Sequence, residues 1–168
     1  MKIIVDGTRL AATTLVLLLL SALLMSGPGV AAAGPLEVVK GSWAGGGALN
    51  YKDGRHEELT CNAYYTATPD GNGLTTALRC SGPSGKFELR SKLSYAAGKV
   101  NGNWEERTYN ASGEASGTLA DGNLSLNIHG GVAGSMTVAF TAASQTVSIA
   151  IASADVPVKA MHFDMKRR

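Results

Sequence analysis

Residues 86–109 read KFELRSKLSYAAGKVNGNWEERTY, and this stretch decides the fold. Apolar and polar residues alternate through Phe87, Leu89 and Leu93, then again through Val100 and Trp104. A period of two is that of a half-buried strand. Ala97-Gly98 lies between the two runs and suits a two-residue hairpin turn. A turn centred there pairs residues whose numbers sum to 195. Glu88 then faces Arg107, and Arg90 faces Glu105, on the outer surface. Leu89, Ser91, Leu93 and Tyr95 face Glu106, Trp104, Gly102 and Val100 on the inner one. Opposite charges meet on one face and mainly apolar groups on the other, so the register is consistent with itself.

The same reading extends along the chain. Turn signals recur every 8 to 14 residues, among them Asp53-Gly54, Pro69 to Gly73, Gly82 to Gly85, Asp121-Gly122 and Gly130-Gly131. No helical stretch separates them, which indicates an all-β architecture. About ten strands are expected, at roughly 40–51, 57–67, 74–81, 86–95, 99–109, 114–120, 123–129, 135–141, 145–152 and 158–166. The Asp121-Gly122 turn sets Leu119 opposite Leu124 and Gly117 opposite Leu126. A loop centred on Asp70-Gly71 sets Cys61 directly opposite Cys80, while a bulged turn at Pro69-Asp70-Gly71 would shift that pairing by one residue. These are the only cysteines in the chain, and their spacing fits a structural disulfide rather than a redox or metal pair.

Three consistent hairpins predict an antiparallel up-and-down meander of about 8–10 strands. A meander leaves two free edges, and rolling it into a closed or nearly closed barrel removes them. Trp43, Gly45 and Gly47 fit a first strand that bends sharply at a barrel corner. The alternative is a flattened sandwich with a filled core.

The N-terminus reads as a targeting segment. Lys2 and Arg9 precede an apolar run, Leu10 to Met25. Ser26-Gly27-Pro28-Gly29 breaks it, and Ala31-Ala32-Ala33 supplies small residues for cleavage. Residues 1–33 are therefore expected to be a secretory signal peptide, with a single domain over 34–168 that is exported to a bacterial periplasm or beyond. No transmembrane segment is expected in the mature form. The whole chain carries a formal charge of +2, and losing Lys2, Arg9 and Asp6 leaves about +1. No basic run alternates with aromatics, so nucleic acid is not an expected partner.

Catalytic signatures are sparse. There is no GxSxG, HExxH or Walker pattern. Gly45-Gly46-Gly47 is followed by no Lys-Ser/Thr and no helix, so it is no phosphate loop. His56 with Glu58, and His162 with Asp164, supply only half of a metal site each. The reading is of a protein without metal or cofactor and not an enzyme.

Parity points one charge inward, Glu106, with Thr76, Ser91 and Thr108 near it. Tyr51, Tyr65, Tyr95, Trp43 and Trp104 would be the inner aromatics. Trp43, Tyr65, Trp104, Glu106 and Phe140 are the candidate ligand-binding residues. The leading expectation is a small apolar or amphipathic ligand inside the barrel. The alternative is a protein-interaction module of the envelope, such as a barrel inhibitor of a secreted protease. Its marker would be an exposed apolar arm, Gly34 to Val39.

Gly41-Ser42-Trp43 at the start of the first strand resembles the Gly-x-Trp opening of lipocalins and other calycin barrels, and Gly102-Asn103-Trp104 repeats it. The strand layout is similar to that of fatty-acid-binding proteins, without their helical lid. The wider pattern comprises Trp43 to Gly47, Cys61 to Tyr65, Leu78-Arg79-Cys80 and Asn110 to Gly113. It resembles short exported bacterial proteins of uncharacterised function. The resemblance implies a barrel and carries over no functional residue.

Overall fold

The computed structural model describes residues 33–168. The expected leader falls on residues outside this range, apart from Ala33. Ten strands follow in order: β1 (Gly41–Tyr51), β2 (His56–Ala67), β3 (Gly73–Gly82), β4 (Gly85–Ala96), β5 (Lys99–Glu106), β6 (Ala111–Ala120), β7 (Asn123–Gly130), β8 (Gly134–Phe140), β9 (Ser144–Ile151) and β10 (Val158–Arg167). Each pairs with the next in antiparallel fashion, and β1 also pairs with β10, so the sheet is a closed barrel. No strand edge is left unpaired, which is why the sandwich alternative does not apply.

Local chemistry sets the hairpins. Ala97 and Gly98 have φ of 47° and 80°, and Asp121 and Gly122 have 48° and 73°. Two consecutive positive φ values match the right-handed twist of the flanking strands. The register follows: Leu89 pairs with Glu106, Leu119 with Leu124, and Cys61 with Cys80. The disulfide is formed. Outside, Glu88 gathers Arg79 at 3.0 Å, Arg90 at 2.6 Å and Arg107 at 3.7 Å.

The inward faces form one core. Val100 and Phe163 are completely buried, and Leu78, Leu93, Leu124, Leu126, Val147 and Ile149 are nearly so. Each such aliphatic side chain contributes roughly 1.5–3 kcal/mol by leaving water. Strand β1 closes the barrel only because it lacks side chains at two inward positions. A Cβ on Gly45 would lie 1.9 Å from the Asp164 carbonyl oxygen, and one on Gly47 1.9 Å from that of His162.

The N-terminal segment departs from expectation. Gly34 to Val39 is not a free apolar arm. Glu37–Val39 forms a short 3-10 turn that covers one end of the barrel. Leu36 and Val39 are only 1% and 3% exposed, and Val38 alone of these apolar side chains faces water. The Gly34 and Leu36 N–H groups donate to the carbonyls of Asp70 and Gly71. The Arg167 guanidinium donates to the carbonyls of Lys40 and Val38 and lies 4.5 Å above the Trp43 ring. Burying two aliphatic groups outweighs leaving the arm in solvent.

Candidate functional site

The barrel interior is not filled. A cavity of about 180 Å³ runs along its axis. Its walls are overwhelmingly apolar, drawn from Leu78, Leu93, Leu124, Leu126 and Val138 on the central strands. Small inward residues mark one side of the barrel. Gly102, Gly113 and Gly117 let strands β5 and β6 lie close against their neighbours, where a Cβ would come within about 2 Å of a carbonyl oxygen, and Ala115 is the β6 residue that lines the cavity. An apolar void of about 150 Å³ stays dry and takes up benzene, so this one suits a compact apolar molecule.

The two ends differ. At the covered end, Leu36 and Val39 of the 3-10 turn meet Tyr65 and Gln145. At the other end Leu49, Trp104, Ile128, Ile151 and Met161 are only partly buried. That end carries the β5–β6 turn and is not crossed by the N-terminal turn; it is the open end, although Tyr95 and Phe140 at the covered end are also only partly buried.

Four of the five candidate residues line the cavity: Tyr65, Trp104, Glu106 and Phe140. Trp43 does not. It is 1% exposed beneath the N-terminal turn, and its Nε1 donates to the Val39 carbonyl at 2.8 Å. Its role is to seat that turn.

Glu106 lies at the open end. Its carboxylate accepts the N–H groups of Glu88 at 3.0 Å, Thr108 at 3.1 Å and Tyr109 at 2.6 Å. It thus holds the β5–β6 turn, and its charge is offset by three donors. Thr108 does not face inward as parity suggested. Strand β5 ends at Glu106, and Thr108 is exposed in the turn. Thr76 and Ser91 do face the cavity and bond to each other at 2.8 Å. Trp104 donates to the His129 carbonyl at 3.3 Å. Tyr51 is turned to the rim, where Arg55 sits 4.1 Å over its ring.

One polar residue in the wall was not anticipated. Gln145 is 3% exposed. Its Oε1 accepts from the Tyr65 hydroxyl at 3.3 Å, and its Nε2 faces the Met165 sulfur at 3.8 Å. Burial pushes the Tyr65 hydroxyl up to about 12, against the lowering effect of the bond to Gln145. Extending the inward parity of Val147, Ile149 and Ile151 back by one step reaches Gln145, and that was the available signal.

Metal chemistry has no visible centre: among the described residues no three His, Cys, Asp or Glu side chains cluster. His56 bonds to Glu58 at 2.7 Å and to Asn50 at 3.0 Å, and His162 to Ser148 at 3.0 Å, all on the outer face. No described helix is long and apolar enough to cross a membrane.

No known family model matches this chain, and no curated protein matches it either. Solved structures do. The chain is similar to Rv2717c from M. tuberculosis, with a TM-score of 0.65 and 17% identity over 82% of this chain and 99% of that one. It is also similar to the S-type phycobiliprotein lyase CPES from Guillardia theta, with a TM-score of 0.55 and 16% identity over 79% and 90% of the two chains. At such identities the likeness is one of fold, a calycin-like barrel. The second neighbour corrects the expectation that the protein is not an enzyme. A barrel of this shape carries a lyase, so missing sequence signatures are no ground for excluding catalysis.

Proposed function

We propose that this protein is a barrel that takes up a small apolar or amphipathic molecule in its interior. The observation that carries the reading is the cavity of about 180 Å³, walled mainly by aliphatic side chains. Concave, mostly apolar sites with a few placed polar groups are the usual form of a small-molecule site. The volume is about a fifth larger than the benzene-binding void above, so it suits a compact molecule. We further propose that it works outside the cytoplasm, as residues 1–33 suggest. The buried Cys61–Cys80 bridge supports this, because such bridges persist in oxidising compartments.

The test is binding of n-butylbenzene, followed by calorimetry and by fluorescence from Trp104 in the cavity wall. Wild-type protein should bind it with 1:1 stoichiometry. Ala115→Leu places a larger side chain in the cavity and should weaken binding about tenfold or more by removing contact volume. Absence of binding to wild type, or equal binding by the variant, would overturn the proposal.

A further inference from the structure

The polar groups of the cavity wall are unequal in what they have left to offer. Thr76 and Ser91 bond to each other. The Glu106 oxygens hold three backbone N–H groups at the open end. Gln145, at the covered end, is different. The Met165 sulfur can only accept, so it fixes which end of the amide is Nε2. Oε1 then receives the Tyr65 hydroxyl. An amide nitrogen carries two N–H bonds. One points at a weak thioether acceptor, and the second has no partner among the described residues. A buried donor left without a partner costs free energy that a ligand atom can recover.

The charges in the wall sharpen this. Among the described residues no Lys, Arg or His lines the cavity, and the one charged side chain in its wall is the carboxylate of Glu106. A bound anion would be buried there without a countercharge, which is strongly unfavourable. A hydroxyl or carbonyl oxygen faces no such cost. It can accept from Gln145 Nε2, and a hydroxyl can also donate to the free lone pairs of the Tyr65 oxygen.

Resting on the cavity reading above, we propose that Gln145 and Tyr65 form a hydrogen-bonding anchor for an uncharged oxygen. The ligand class is a compact apolar molecule with one hydroxyl or carbonyl group, inserted polar end first, and carboxylates are rejected. Gln145 supplies the donor, Tyr65 orients the amide, and the aliphatic wall takes the rest of the molecule.

Three probes of similar size test this: n-butylbenzene, phenylpropanol and phenylpropanoate. The variant is Gln145→Leu with Tyr65→Phe. Removing both partners together leaves no orphaned polar group, so the fold is retained. Gln145→Leu alone, which strands the Tyr65 hydroxyl, serves as a second variant, and the melting temperature of each is recorded. Wild type should bind phenylpropanol at least tenfold more tightly than phenylpropanoate at neutral pH. In the double variant the ratio of phenylpropanol to n-butylbenzene affinity should fall about tenfold, the worth of a buried hydrogen bond, while n-butylbenzene binding is kept. A ratio unchanged within about twofold, or phenylpropanoate bound as tightly as phenylpropanol, would overturn the anchor. Loss of n-butylbenzene binding by wild type indicts the cavity reading instead.

Discussion

Closing the barrel depends on two missing side chains, and that dependence is measurable. Gly45 and Gly47 point inward on β1, and each would place a Cβ 1.9 Å from a carbonyl oxygen of β10. An ordinary carbon–oxygen approach between strands is about 3.3–3.6 Å. Alanine at either site therefore requires the β1 and β10 backbones to separate by more than an ångström, at the seam that joins the ends of the sheet. Gly47→Ala also meets the Phe163 ring at 2.7 Å. Gly46 sits between them with its vector outward, and a Cβ there meets only the Leu59 carbonyl at 3.1 Å. Overpacking costs about 1–3 kcal/mol, and rigid backbone on the receiving side puts these two sites at the upper end. The entropic benefit of replacing Gly returns about 0.5–1 kcal/mol at all three positions. Gly45→Ala and Gly47→Ala should each lose about 2–3 kcal/mol, and Gly46→Ala should stay within about 1 kcal/mol of wild type. For a domain of this length 2–3 kcal/mol lowers Tm by about 7–10 °C. Urea titration followed by tryptophan fluorescence, with thermal circular dichroism beside it, reads both quantities. Equal stability of all three variants would refute the reasoning, because the β1–β10 seam would then not be this tight.

Two other predictions follow from chemistry along the sheet. Cys61→Ala with Cys80→Ala opens a loop whose ends are 19 residues apart, and chain entropy sets the loss at about 3 kcal/mol; a loss under about 1 kcal/mol by urea titration would count against that account. Glu88 is held at about 2 by hydrogen bonds from Arg79 and Arg90, below the usual value of about 4.3. Its folded state thus prefers the charged form, and this stability is present above about pH 4.5 and lost as pH falls toward 2. Glu88→Gln should flatten the acid limb of the stability profile in that window, and an unchanged limb would show that the three arginines do not act through this carboxylate.

The candidate site was partly legible before the fold was known. Parity along each strand placed Tyr65, Trp104, Glu106 and Phe140 on the inner face, and all four line the cavity. Gln145 escaped because Ser144-Gln145-Thr146 reads as a polar turn-to-strand junction. Trp43 was assigned to the wrong neighbourhood, since parity says which face a side chain takes and not what covers it. The exposed arm failed for the same reason. Leu36 and Val39 have no local partners, and their burial depends on the end of a barrel assembled from distant strands.

What the chain determined by itself was everything that neighbours in sequence can settle. Alternation gave the strands, positive-φ turns gave the hairpins, and two adjacent hairpin strands brought the cysteines together. These are short-range effects, and only the loop around Asp70-Gly71 left a one-residue choice of register, which the structure resolves as Cys61 opposite Cys80. Tertiary structure alone decided the rest. The pairing of β1 with β10 joins residues over a hundred positions apart. The cavity is the space left over between the inward side chains when ten strands close, and no single segment encodes a volume. The capping of one end and the orientation of Gln145 depend on that closure, because only a finished cylinder has an end to cover and an interior that brings Gln145 to Tyr65 and Met165.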